Sequence, residues 1–207
     1  RILFVVITQL AYFGLPWLQW GSRQAVWFDL ANRKFYLFGL VIWPQDFFYL
    51  AALLICCAFG LFTWTTLAGR LWCGYACPQT VYTEIMLWIE TWVEGSRNKR
   101  IKLDQAPMSA RKLRIKTTKH VLMILFSLWT GITLVGYFIP IRSLVPHIIT
   151  LTPIGWEIFW VLFYAGFTYL FAGMLREQVC KYMCPYARFQ SVMFDADTLI
   201  VSYDSPR

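Results

Sequence analysis

Charge is what this 207-residue sequence has least of: Asp, Glu, Lys and Arg together make up 14% of it, against about a quarter in a soluble domain. Acidic residues number 11 and histidines only 2. With so little charge beside 58% hydrophobic and 19% aromatic residues, a water-soluble globule, a disordered chain and a coiled coil are all excluded. Cysteine is also sparse. Six Cys are too few to staple a secreted module of this size, and four of them fall in two matched clusters, which points to metal chemistry in a reducing compartment. The initiator Met is missing, so the chain is expected to begin inside a longer reading frame.

What is abundant is long apolar sequence. A bilayer core about 30 Å thick needs roughly 20 apolar residues in a helix. Residues 2–20, 47–67, 121–139 and 156–175 meet that length without a Lys or Arg, and Glu157 stands at an end. The first run is too long for a signal-peptide core and has no small-residue cleavage pattern, so it reads as a retained span. Fifteen of the 19 Lys and Arg lie before the first run, between the second and third, or after the fourth. Only Arg23, Arg33, Lys34 and Arg142 fall in the other connections. The positive-inside bias therefore puts both termini and the long middle loop in the cytoplasm. The basic loop has almost no interleaved aromatics, so topology, not nucleic-acid binding, accounts for it.

Two other segments are not spans. In 79–94 the residues Val81, Tyr82, Ile85, Trp88, Ile89 and Trp92 share one helical face while Glu84, Thr91 and Glu94 share another, which predicts an interfacial helix closed by Gly95. Segment 25–43 is aromatic and broken by Asn32, Arg33 and Lys34; a hairpin and an interfacial helix both fit. The second outer loop, with Pro140, Pro146 and Pro153, is expected to be mostly irregular.

The sequence also repeats. At an offset of 107 residues, LWCGYACPQTVYTEIM (71–86) aligns with QVCKYMCPYARFQSVM (178–193), setting Cys73 on Cys180, Cys77 on Cys184, Tyr75 on Tyr182, Pro78 on Pro185 and Met86 on Met193. Each half reads span, outer loop, span, C-x-x-x-C-P, which is an internal duplication. The predicted fold is an all-α membrane bundle of four spans in two tandem repeats with amphipathic interfacial helices. Its parts are a first half (1–95), a basic cytoplasmic linker (96–119) and a second half (120–207). Pro78 and Pro185 suit the first position of a helix, which leaves Cys77 and Cys184 at the cap, where backbone N–H groups and the helix dipole favour a thiolate. Paired halves bring Cys73, Cys77, Cys180 and Cys184 together, with Arg70, Arg176, Lys181 and Arg188 nearby to offset their charge. C-x-x-x-C-P is the closing half of the bacterial ferredoxin run, and Cys₄ ligation suits a [4Fe–4S] cluster. A structural zinc also accepts four thiolates at such gaps, and thiols that merely cap helices are the third reading.

The remaining candidates are weaker. Cys56 and Cys57 are adjacent on the second span and point about 100° apart, so they read as packing residues before a soft-metal or copper site. His120 and His147 read as helix-end and outer-loop residues before ligands, and Asp29 and Asp46 as interfacial carboxylates before a proton relay. No ionisable residue lies deep in a span, which argues against transport.

At these motifs the sequence resembles the cytochrome c oxidase accessory family called CcoG, also known as FixG or RdxA. The resembling stretches are FDLANRKFYLFGL, WPQDFF, GRLWCGYACPQTVY, GYFIPIRSL and REQVCKYMCPYARFQSVMFDADTLIVSYD. The resemblance implies an inner-membrane iron–sulfur protein, an oxidoreductase that reduces Cu(II) to Cu(I) for a cbb-type haem–copper oxidase. The cluster ligands it maps are Cys73, Cys77, Cys180 and Cys184, and copper is the substrate. Members of that family continue into a ferredoxin-like domain, a further span and an outer domain, so the sequence is expected to stop short of these. The implied partners are the lipid bilayer, copper, an oxidase assembly factor or copper chaperone, and a second copy of the chain, with Cys56, Cys57, Met174 and Met183 as soft candidates for copper. Two rivals stand beside this reading: a quinol dehydrogenase of the NapH type and a zinc-held, non-redox scaffold.

Overall fold

The computed structural model describes residues 2–21, 23–150 and 155–192. Pro153, Met193 and the tail ending at Arg207, like Arg1, lie outside them. The described chain is mostly helical, and among the described residues three helices are long and apolar enough to cross a bilayer: Pro44–Ala68, Ala110–Val135 and Gly155–Leu175. The first apolar run instead forms a shorter helix, Ile2–Trp17. It is α1 (Ile2–Gly14) extended by a 3-10 turn at Leu15–Trp17, with Pro16 inside it.

The outer segment 25–43 is a small sheet, which departs from the all-α expectation. Strands β1 (Gln19–Trp20) and β2 (Arg23–Gln24) pair as a two-stranded ribbon. Then β3 (Val26–Asp29), β4 (Lys34–Leu37) and β5 (Leu40–Ile42) form an antiparallel meander, Trp27 opposite Tyr36 and Phe35 opposite Ile42. Aromatic pairs hold the register: Trp27 stacks on Tyr36 and Phe28 meets Phe35 edge-on. Asp29 is not a solvated carboxylate. It is buried, and it makes the β3–β4 turn by accepting from the backbone N–H of Asn32 at 3.1 Å and from its side-chain amide at 2.7 Å. Asp46 makes a similar turn, accepting from the Trp43 N–H at 3.2 Å. The sheet is tied to the chain beyond the helix Ala110–Val135 through Gln24, which donates to the Gly136 carbonyl at 2.8 Å and accepts from the Ile141 N–H at 3.3 Å.

After α2 (Phe47–Ala68) come α3 (Leu71–Tyr75), α4 (Pro78–Glu94), α5 (Arg97–Gln105), α6 (Ala110–Val135), α7 (Ile141–Thr150) and α8 (Gly155–Thr168). A π-helix at Tyr169–Leu175 continues α8; a second at Val179–Met183 precedes α9 (Pro185–Val192). Of the loop expected to be irregular, Ile141–Thr150 is a helix. Pro146 sits inside α7, and the helix survives because it buries Ile141 and Leu144, the latter in a cluster with Val135 and Val161. Tertiary burial outweighs the proline signal.

α6 and α8 pack closely because Gly131 has no side chain: a Cβ there would stand 2.6 Å from the Val161 carbonyl oxygen. Small residues let membrane helices approach in this way. A second cluster joins Met86 of α4, Met123 of α6 and Ala172 of the π-helix, with Tyr82, Ile89, Phe126 and Tyr169 around it. α4 starts at Pro78 and ends at Gly95, as its sequence implies, but its apolar face divides. Val81 and Met86 are buried, whereas Trp92 is 80% exposed and Trp88 also faces outward.

The basic stretch 96–119 is not a featureless linker. It folds as α5 and the first turns of α6, and it returns to α4, whose Glu90 and Glu94 are buried. Glu90 pairs with Arg100 at 3.1 Å, Arg176 at 2.9 Å and Lys119 at 3.4 Å. Glu94 pairs with Lys119 at 2.8 Å and Lys116 at 3.0 Å, and Lys116 also meets Asp104 at 2.8 Å. Burial favours the neutral acid at Glu94, but the hydrogen bonds and charges of Lys119 and Lys116 outweigh it and hold the carboxyl below its ordinary range.

Candidate metal centre

Both C-x-x-x-C-P motifs leave a long helix through the same turn. α2 ends at Gly69 with φ 57° and ψ −125°, and the π-helix after α8 ends at Arg176 with φ 46° and ψ −113°. The two are related by the 107-residue offset. Beyond each turn the hydrogen bonds also match: Cys77 N–H donates to the Trp72 carbonyl at 3.0 Å, and Cys184 N–H to the equivalent Val179 carbonyl at 2.9 Å. Cys77 is the N-cap of α4, in extended conformation ahead of Pro78, and Cys184 precedes Pro185 in the same way. Cys73 lies on α3, with its carbonyl accepting from the Thr80 hydroxyl at 2.6 Å. Cys180 lies in the second π-helix.

The duplicated halves bring their thiols into one neighbourhood. All four are free and half-buried. The Cys73 thiol is pushed up to about 11, first by burial and then by the charges of Cys77, Cys184 and Cys180, with Arg70 acting against them. Cys180 is raised by burial and then by Cys77 and Cys184. Each half's influence thus reaches across to the other, which is what one shared site requires.

The donor set fits an iron–sulfur cluster. Around a single zinc, Zn–S bonds of about 2.3 Å hold four sulfurs roughly 3.8 Å apart. Among the described residues no three His, Cys, Asp or Glu side chains gather closely enough to hold a metal ion, so the fit rests on the chemistry of the four-thiol donor set and not on a preformed cage. A cubane takes one thiolate at each iron corner and so spreads its ligands more widely than a mononuclear site does.

Side chains from each half tie the two motifs together. Gln190, on α9 and 2% exposed, donates to the Gly69 carbonyl at 3.0 Å, and its Oε1 accepts from Cys73 Sγ at 3.9 Å. Gln79, on α4, donates to the Arg176 carbonyl at 3.2 Å and to that of Phe171 at 2.9 Å. Tyr186 meets the Thr65 hydroxyl near the end of α2. None of these stood out as a site residue in the sequence. The repeat alignment sets Gln79 against Tyr186 and Gln190 against Thr83, so the ties have no sequence symmetry to reveal them.

Of the cations expected near the thiols, Arg70 acts on Cys73, while Arg176 pairs with Glu90 and donates through Nε to the Gly173 carbonyl. Arg188 donates to the Tyr182 carbonyl at 3.0 Å, and Lys181 lies 5.8 Å from the Tyr182 ring centre. Neither histidine joins the thiols: His120 bonds to the Tyr169 hydroxyl at 2.8 Å, and His147 lies 3.6 Å from Glu157. Cys56 and Cys57 are exposed on α2 and not packed in a core.

Residues 50–100 match a 4Fe-4S binding domain and residues 175–207 a 4Fe-4S dicluster domain. Each match contains one of the C-x-x-x-C-P motifs, which supports iron over zinc. The chain is 41% identical to the nitrogen fixation protein FixG of Rhizobium meliloti, over 99% of this chain and 40% of that protein. It is 42% identical to protein RdxA and 41% to protein RdxB of Cereibacter sphaeroides, over 93% and 95% of this chain and 42% of each relative. The chain thus spans about two fifths of the length of the curated relatives it matches. No solved structure matches it. Iron–sulfur domains, membrane-length helices and these relatives together describe an iron–sulfur protein of the membrane. Over the length it spans, the chain belongs to the FixG/RdxA family.

Proposed function

We propose that this chain is the membrane-embedded core of a cupric reductase that supplies Cu(I) to a cbb-type haem–copper oxidase. It lies in the bacterial inner membrane as two tandem repeats of two crossings, α1 counted as the first, with both termini and both motifs in the cytoplasm. The observation that carries the redox reading is the convergence of two thiol pairs from duplicated halves. When bound, the cluster supplies a one-electron carrier. The chain holds it through Cys73, Cys77, Cys180 and Cys184, shields it by half-burial, and sets α4 and α9 with their amide ends towards it. The reaction is transfer of one electron from the reduced protein to Cu(II), giving Cu(I). Soft donors near the second motif, the exposed Met174 and Met183, suit the product ion, and an assembly factor, a copper chaperone or a second copy of the chain completes delivery.

The test uses the full-length protein, purified anaerobically and reduced. A cubane signal in electron paramagnetic resonance and Cu(I) captured by a specific chelator, one per reduced cluster, are the expected results. A cubane signal with no Cu(I) formed would refute copper as the acceptor.

One observation favours a second reading, with quinol as the electron donor. An apolar cavity of about 810 Å³ lies between α1, α2 and the first motif, lined among others by Phe4, Cys57, Trp64, Trp72 and Tyr75. Trp72 adjoins Cys73. Reduction of the cluster by a quinol analogue separates this reading from a soluble donor.

A further inference from the structure

A site that draws two ligands from each half needs something to hold the halves in register, and the thiols cannot do so before the cluster is present. The turn into the first motif ends α2 at Gly69, and its carbonyl accepts from Gln190 of the second half. The turn into the second motif ends at Arg176, and its carbonyl accepts from Gln79 of the first half. Each motif's own helix therefore supplies the carboxamide that fixes the approach to the other motif's first cysteine. Both turns have positive φ, and at Arg176, which carries a side chain, that conformation persists only where its surroundings over-determine it.

The two glutamines differ in one respect. Gln79 reaches backbone carbonyls and the Thr83 hydroxyl, whereas Gln190 also stands against Cys73 Sγ. Because its N–H is held by the Gly69 carbonyl, the carboxamide of Gln190 keeps its oxygen towards the sulfur. The charge and hydrogen bonding around the sulfurs are among the levers that set a cluster's potential.

We propose that Gln79 and Gln190 are reciprocal positioning residues for the cluster, and that Gln190 in addition tunes its potential through Cys73. The proposal rests on the iron–sulfur reading above. Both glutamines preorganise the four-thiol site, so losing either lowers cluster occupancy. With its Nε2 held by the Gly69 carbonyl, Gln190 turns the negative end of its amide dipole to the ligating sulfur, which disfavours the added electron and lowers the potential.

The test compares Gln79→Leu and Gln190→Leu in the anaerobic full-length protein by iron and sulfide content, electron paramagnetic resonance and midpoint potential. Both variants are expected to lose occupancy several-fold, and the clusters remaining in Gln190→Leu to show a higher midpoint potential, while those in Gln79→Leu keep that of the parent. If Gln190→Leu does not accumulate, Gln190→Glu keeps the shape, puts a full negative charge beside the sulfur, and is expected to lower the potential below that of the parent. Full iron content and an unshifted potential at Gln190 would overturn the proposal, as would equal shifts in both leucine variants. A parent protein without a cubane signal would instead defeat the iron–sulfur reading itself.

Discussion

The two halves of the molecule reach the same backbone turn with different residues. In the first half the position before the motif is Gly69, which enters the left-handed region at little cost. In the second it is Arg176, which holds nearly the same angles against the sterics of a side chain. Arg176 is held in place from several directions. Its N–H donates to Phe171, its carbonyl accepts from Gln79, its Nε donates to Gly173, and its Nη2 pairs with Glu90. The chain entering it is correspondingly a π-helix, a form common at functional sites, where the first half has an α-helix. Duplicated geometry has been kept while the means of stabilising it diverged: one half uses permissiveness, the other uses contacts.

The largest effect that sharpens this comparison comes from the cysteines. If the halves share one site, Cys73→Ser and Cys180→Ser should each abolish the cubane signal, because every ligand occupies its own iron corner; a signal that survives one change but not the other would break the equivalence. Next is Glu94→Gln, which leaves the buried Lys119 without its closer carboxylate and should destabilise the protein by about 3 kcal/mol, read by thermal unfolding in detergent. Because the folded carboxyl of Glu94 titrates below its ordinary value of 4.5, its contribution is full above about that pH. It is lost as pH falls through the lower folded value, and Glu94→Gln should lack this part of the acid sensitivity. Gly69→Ala should cost about 1–3 kcal/mol of backbone strain, since no side chain there repeats the anchoring of Arg176. The smallest is Thr80→Ala, which removes one hydrogen bond to the Cys73 carbonyl and should cost about 1 kcal/mol.

Much of this was legible before any coordinates. The apolar runs at 47–67, 121–139 and 156–175 became the membrane-length helices because length and hydropathy suffice to specify them. The helix starts at Pro78 and Pro185 followed from proline's fixed φ. The ion-pair cluster was hidden because Lys116 and Lys119 lie far along the chain from Glu90 and Glu94. The one local clue was Glu90 and Glu94, four residues apart on one side of an amphipathic helix. α7 was hidden by its prolines, since nothing local reveals that Leu144 is fully buried. The sheet at 25–43 was ambiguous because aromatic residues serve a strand and an interfacial helix equally well.

The offset of 107 residues between Cys73 and Cys180 also has a consequence in time. At a synthesis rate of about 5–20 residues per second, the first thiol pair leaves the ribosome roughly 5–20 s ahead of the second. During that interval Cys73 and Cys77 have neither their cluster mates nor the carboxamide of Gln190, and they stand open to oxidants and stray metal ions. Maturation is therefore bound to follow completion of the second half, and any delay in translation between the repeats lengthens the exposure of an unfinished site.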